Sequence, residues 1–304
     1  MTAILERPDA AAAPPPPPRR LAGGRRPLRE VVFRVYLQLC LAVSLAFLVA
    51  LLVYVVWTGL PRLDLDLLTN MPSTLRPESA GAQSAITGTL WVISLTALFC
   101  VPIGVMTAIY LEEYADSSRW WNKLIEINIQ NLAAVPSIVY GILGLGVIAR
   151  GLGLGLTVLA AAMTLSLLVL PVVIISAREA IRAVPSSIRF GSLALGATRW
   201  QTVWKQILPA AVPGTATGSI LALSRAIGEA APLLLLGALS YISFNPDGVL
   251  SQFTVLPVQI YDFIKQSREE FVPLASAAIV VLLVILLAMN SIAIFLRNKF
   301  QRRW

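Results

Sequence analysis

The chain has 304 residues, 57% of them hydrophobic and 13% charged, with a net charge of +8. A soluble domain carries about 25% charged residues, so the composition points to a bilayer as the solvent. There is no His, which excludes Ser-His-Asp catalysis and His metal sites, and no Lys follows a Gly, which excludes a GxxxxGK[ST] nucleotide loop in this chain.

Residues 1–30 are rich in Ala, Pro and Arg, with five consecutive prolines at 14–18, and read as a disordered cytoplasmic tail before a membrane domain over 31–304. Six apolar spans follow, near 35–58, 86–110, 128–149, 154–177, 207–239 and 273–296, each close to or above the length a membrane helix requires. The fold class predicted is an all-α polytopic membrane protein. Cys40 and Cys100 lie inside two of these spans and serve as small packing residues.

The first span has no polar interruption and reads as a lipid-facing helix. The second ends in Ile109-Tyr-Leu-Glu-Glu-Tyr114, where the acids meet the cytoplasm, and Trp120 and Trp121 follow as an interfacial anchor. The third carries Asn128, Gln130, Asn131 and Pro136, which a membrane helix tolerates only where neighbours satisfy them. Gly151-Leu-Gly-Leu-Gly155 joins two spans with no strand before it and is a tight outside turn, while Pro171 marks a kink in the fourth span.

The loop 178–206 contains two short helices. Pro185 and Ser187 start the first, Gly196 stops it, and Thr198-Arg-Trp-Gln201 is a capping box for the second. Trp200, Val203, Trp204 and Ile207 then recur at helical spacing and form an apolar face that lipid or a partner groove should cover.

The fifth span holds Arg225 near its middle, with Glu229 four residues on. A guanidinium there costs roughly 2.5–3.5 kcal/mol and must face protein or a watery path with a partner at hand. Two uses of the pair stay open: a substrate path, or an ion pair that fixes helix packing. Most Lys and Arg cluster before the first span, in 178–206 and at the C-terminus, which places both termini in the cytoplasm. That topology accounts for the positive charge without nucleic acid.

A loop spacing and three motifs carry a family resemblance. Gly196 and Leu208-Pro209 keep the spacing of the EAA loop of bacterial ABC importer permeases, although Phe190, Gly191 and Ser192 occupy its Glu-Ala-Ala positions. With Ala134-Val-Pro-Ser-Ile-Val-Tyr-Gly141, Ile109-Tyr-Leu-Glu-Glu-Tyr-Ala115 and Ser224-Arg-Ala-Ile-Gly-Glu-Ala-Ala-Pro-Leu-Leu234, the chain resembles PstA-type permeases of phosphate importers. The resemblance implies a type I ABC importer permease fold with six transmembrane helices and a cytoplasmic coupling helix. It implies a substrate path at Ser224, Arg225 and Glu229, and contact with an ATPase through Ser192, Ala194, Gly196, Ala197, Thr198 and Trp200. The expected partners are a PstC-type second permease, a PstB-type ATPase dimer that uses ATP and Mg, and a PstS-type phosphate-binding protein. No cofactor is expected on this chain, and its location is the bacterial cell membrane. A sulfate or molybdate permease is the alternative within the class. A secondary transporter, the alternative outside it, should show a second charged helix in the other half of the chain.

Overall fold

The computed structural model describes residues 28–116, 118–236, 238 and 242–300. The Pro-rich tail expected over 1–30 lies outside them as far as residue 27. The described residues form two units. In the first, residues 28–51 are one helix with every side chain exposed, as a lipid-facing span requires.

Among its described residues the second unit has helices as its only regular elements, joined by turns and irregular segments such as 242–255. Helix α1 (Leu28–Gly59) ends in it, and α2 (Leu65–Thr69) is capped by Asp64, whose carboxylate accepts from the Leu67 amide. Then come α3 (Gln83–Ile109), α4 (Trp120–Ala133), α5 (Ser137–Leu143), α6 (Val158–Arg182), α7 (Ser186–Ala194), α8 (Arg199–Thr202), α9 (Leu208–Ile227), α10 (Ala231–Leu235), α11 (Leu256–Lys265) and α12 (Phe271–Phe300). Wider π turns extend α3 over Tyr110–Tyr114 and α5 over Gly144–Gly151, and join α8 to α9 over Val203–Ile207.

Among the described residues five helical stretches are long and apolar enough to cross a membrane, or six with the α4–α5 pair, bent by 104°, counted as one span. The third span is therefore broken where continuity was expected. Pro136 has no amide hydrogen to donate and disfavours helical geometry at Val135, so the ladder stops there and restarts at Ser137. Pro171, by contrast, sits inside an unbroken α6. The turn over 151–155 matches its glycines: Gly153 and Gly155 take φ of +69° and +67°.

The centre of the bundle is α3, α6 and α9, with α12 along α9. Small residues permit this. A side chain at Gly214 would come within 2.9 Å of Ala180, and one at Gly218 within 2.5 Å of Ser176, so α9 and α6 approach backbone to backbone. Ile93, Cys100, Val173, Leu223 and Ala226 fill the space between them. A second cluster packs Leu67 and Ala82 with Leu256, Phe263 and Phe271.

Candidate functional site

Arg225 does not sit at the middle of a long helix. Helix α9 ends at Ile227, the Gly228 amide bonds back to the Arg225 carbonyl at 3.1 Å, and α10 restarts with Pro232 in its first turn. The apolar run through 239 hid this break, and the end of that run falls partly outside the described residues. Arg225 thus occupies the last turn of α9, where a cation is favoured by the exposed carbonyls. Glu229 lies past the helix end and still reaches it, Oε1 to Nε 3.6 Å, but the contact is loose: the Arg225 side chain is 69% exposed and that of Glu229 20%.

The two breaks meet. Helix α5 packs on α10, and a side chain at Gly141 would come within 2.7 Å of the Pro232 Cα. Beside them a cavity of about 230 Å³ is lined by residues 132–137 of the α4–α5 break, by Val172 and by Arg225. Ser224, the third residue expected in the path, donates instead to Asn290 Oδ1 of α12 at 2.8 Å. Asn290 was not anticipated, because nothing local distinguishes one amide in the apolar stretch 273–296.

The loop 178–206 has the expected two-helix form. Helix α7 ends on Gly196 at φ +83°, with the Gly196 amide bonded to the Leu193 carbonyl at 3.0 Å and the Ala197 amide to that of Ser192 at 3.2 Å. Thr198 and Gln201 close both bonds of the capping box. Ser192 and Thr202 share a 3.0 Å hydroxyl contact that ties the two helices, and Ala194 and Trp200 are exposed. The apolar face divides in two. Val203 and Ile207 are buried against Ala108, Ala177 and Ile181 of this same chain, whereas Trp200 and Trp204 pair at 5.1 Å and stay open.

A charge cluster that sequence reasoning missed lies above this loop. Arg182 donates twice to Glu112, both at 3.0 Å, Arg178 bridges to Glu126 at 2.9 Å, and Arg189 of α7 meets Glu113 at 2.6 Å. The acids were recognisable as a pair facing the cytoplasm, but partners some 70 residues away carry no local signal. Between this cluster and α7 a cavity of about 550 Å³ opens, bordered by Asp116, Phe190, Leu193 and Arg199. Hydrogen bonds from Ser118 hold the Asp116 carboxyl below the usual carboxylate range.

Residues 100–304 match the family described as binding-protein-dependent transport system inner membrane component. The probable ABC transporter permease protein YqgI of Bacillus subtilis is 32% identical over 68% of this chain and 70% of that protein. The phosphate transport system permease protein PstA 1 of Mycobacterium tuberculosis is 32% identical over 74% of this chain and 73% of that protein. A chain of a bacterial alginate ABC transporter, solved with its periplasmic protein, superposes with a TM-score of 0.60 at 16% identity, covering 90% of this chain and 98% of that one. At that identity the likeness concerns the fold alone. The chain belongs to the binding-protein-dependent transport system inner membrane component family, as a multi-pass ABC permease of the PstA type.

Proposed function

We propose that this permease moves inorganic phosphate into the cell and forms half of the translocation path. A PstC-type permease would supply the other half, a PstS-type protein would deliver phosphate from outside, and a PstB-type ATPase pair would hydrolyse ATP with Mg beneath the loop 178–206. In this reading both termini are cytoplasmic and the tail over 1–30 lies on that side. The single observation that carries the reading is Arg225: a side chain 69% exposed, at a helix break, lining a cavity between two broken spans. An exposed cation inside a membrane bundle needs an occupant, and its planar donors suit phosphate oxygens. Glu229, loosely paired, keeps the site from holding the anion too firmly. The names of the PstA relatives support phosphate as that anion.

The test is phosphate uptake by the four-component complex in proteoliposomes. Arg225→Gln should reduce uptake to background while the complex still assembles, and Arg225→Lys should retain part of it as a point charge without the fork. Wild-type uptake by Arg225→Gln, or uptake of sulfate in place of phosphate by the unaltered complex, would overturn the reading.

A further inference from the structure

The charge cluster at the cytoplasmic ends of α3 and α6 is more than helix packing. We infer that Glu113 and Arg189 form a positioning pair that fixes the loop helix α7 to the end of α3, so that movement of the loop is carried to α3 and α6. The inference rests on the proposed role of 178–206 as the loop that meets the ATPase.

Three observations support it. First, α3 ends in a π turn, and this wider turn sends two successive carboxylates different ways, Glu112 toward α6 and Glu113 toward α7. Second, Arg189 holds two elements at once: its guanidinium donates to Glu113 at 2.9 Å and to the Ile181 carbonyl, in the last turn of α6, at 3.1 Å. The loop helix is therefore pinned where α3 and α6 end. Third, the pair is well shielded, with the Glu113 side chain 11% exposed and that of Arg189 25%, so solvent competes with it weakly.

The sequence adds a reason for the pair to matter here. The loop has Phe190 where the related loops have an acid, and Phe190 is 69% exposed. Arg189, its neighbour, has no acid on α7 to pair with and takes Glu113 of α3 instead. Force applied to α7 then reaches the membrane helices through a charge-assisted bond as well as through the backbone at Val184–Pro185.

The experiment measures phosphate imported per ATP hydrolysed by the reconstituted complex, with a photocrosslinking side chain at Leu195, which is 90% exposed at the loop tip. Glu113→Gln and Arg189→Gln should each lower that ratio by about tenfold while assembly and the crosslink to the ATPase persist. The exchanged pair Glu113→Arg with Arg189→Glu should restore part of it, because the ion pair reforms while a carboxylate at 189 cannot donate to the Ile181 carbonyl. An unchanged ratio in both single variants overturns the inference. So does an exchanged pair that assembles yet transports no better than either single. Single variants that fail to assemble assign the pair to folding and overturn it too. A missing crosslink in the unaltered protein would instead remove the coupling-loop reading on which the inference stands.

Discussion

The chain holds two sets of charges at the ends of membrane helices, and they are built in opposite ways. At the end of α9, Arg225 meets Glu229 at 3.6 Å with its guanidinium mostly open. At the ends of α3 and α6, Arg178 and Arg189 keep 14% and 25% of their side-chain surface and meet acids at 2.9 and 2.6 Å. Interaction energy falls with distance and with the dielectric around the pair, so the second set is neutralised and the first is not. A neutralised cluster holds helices in place. An open cation on a cavity attracts an anion. Geometry, more than residue type, separates a closely paired arginine from an open one.

The sharpest way to break this distinction is to remove an acid from the closed set. Glu112→Gln leaves Arg182 without its two parallel bonds and leaves Arg178 with Glu126 alone. Breaking a buried pair costs roughly 3–5 kcal/mol, and half-exposed Arg182 recovers some of that from water, so a loss of about 2 kcal/mol is expected. The assembled complex in nanodiscs should unfold at a midpoint lower by about 5 °C. Arg225→Gln should leave the midpoint in place and remove uptake. If Glu112→Gln left the midpoint unchanged and abolished uptake, the two sets would not differ in kind.

A smaller effect is expected at the turn between α7 and α8. Nothing lies within 4 Å of a side chain added at Gly196, so bulk is not the constraint that a tight turn suggests; φ of +83° is. Forcing an L residue there costs roughly 1–2 kcal/mol, most for a β-branched one and least for Asn. Gly196→Val should lower uptake by about tenfold and Gly196→Asn by less. Equal uptake by both variants would show that the left-handed turn is dispensable.

These two regions were unequally legible. The loop was readable because its signals are local: a glycine that must leave the right-handed region, and Thr198 and Gln201 three residues apart. Spans were readable because a bilayer demands length and apolarity. Their ends were not, because an apolar run continues past the point where Gly228 and Pro232 stop the helix. Two prolines illustrate the same limit. Pro171 sits in an unbroken helix and Pro136 at a break of 104°, and the difference comes from the neighbours, with α5 turned onto α10 through Gly141. Pairs such as Glu113 with Arg189 depend on chain crossings that no window of sequence contains.

The smallest effect tests how firmly the open site is held. Ser224 donates to Asn290 at 2.8 Å, one residue before Arg225, and this bond joins α9 to α12 at the level of the cation. Such bonds between membrane helices average about 0.6 kcal/mol, since a separated helix finds other partners for its polar groups. Ser224→Ala and Asn290→Ala should therefore each lower phosphate uptake only about threefold. Because both remove the same bond, the double variant should lose no more than either single one. Losses that multiply would mean the two residues act separately, Ser224 on the path itself and Asn290 on packing. A shared loss would mean that Ser224 holds the end of α9 in place and leaves contact with the anion to Arg225.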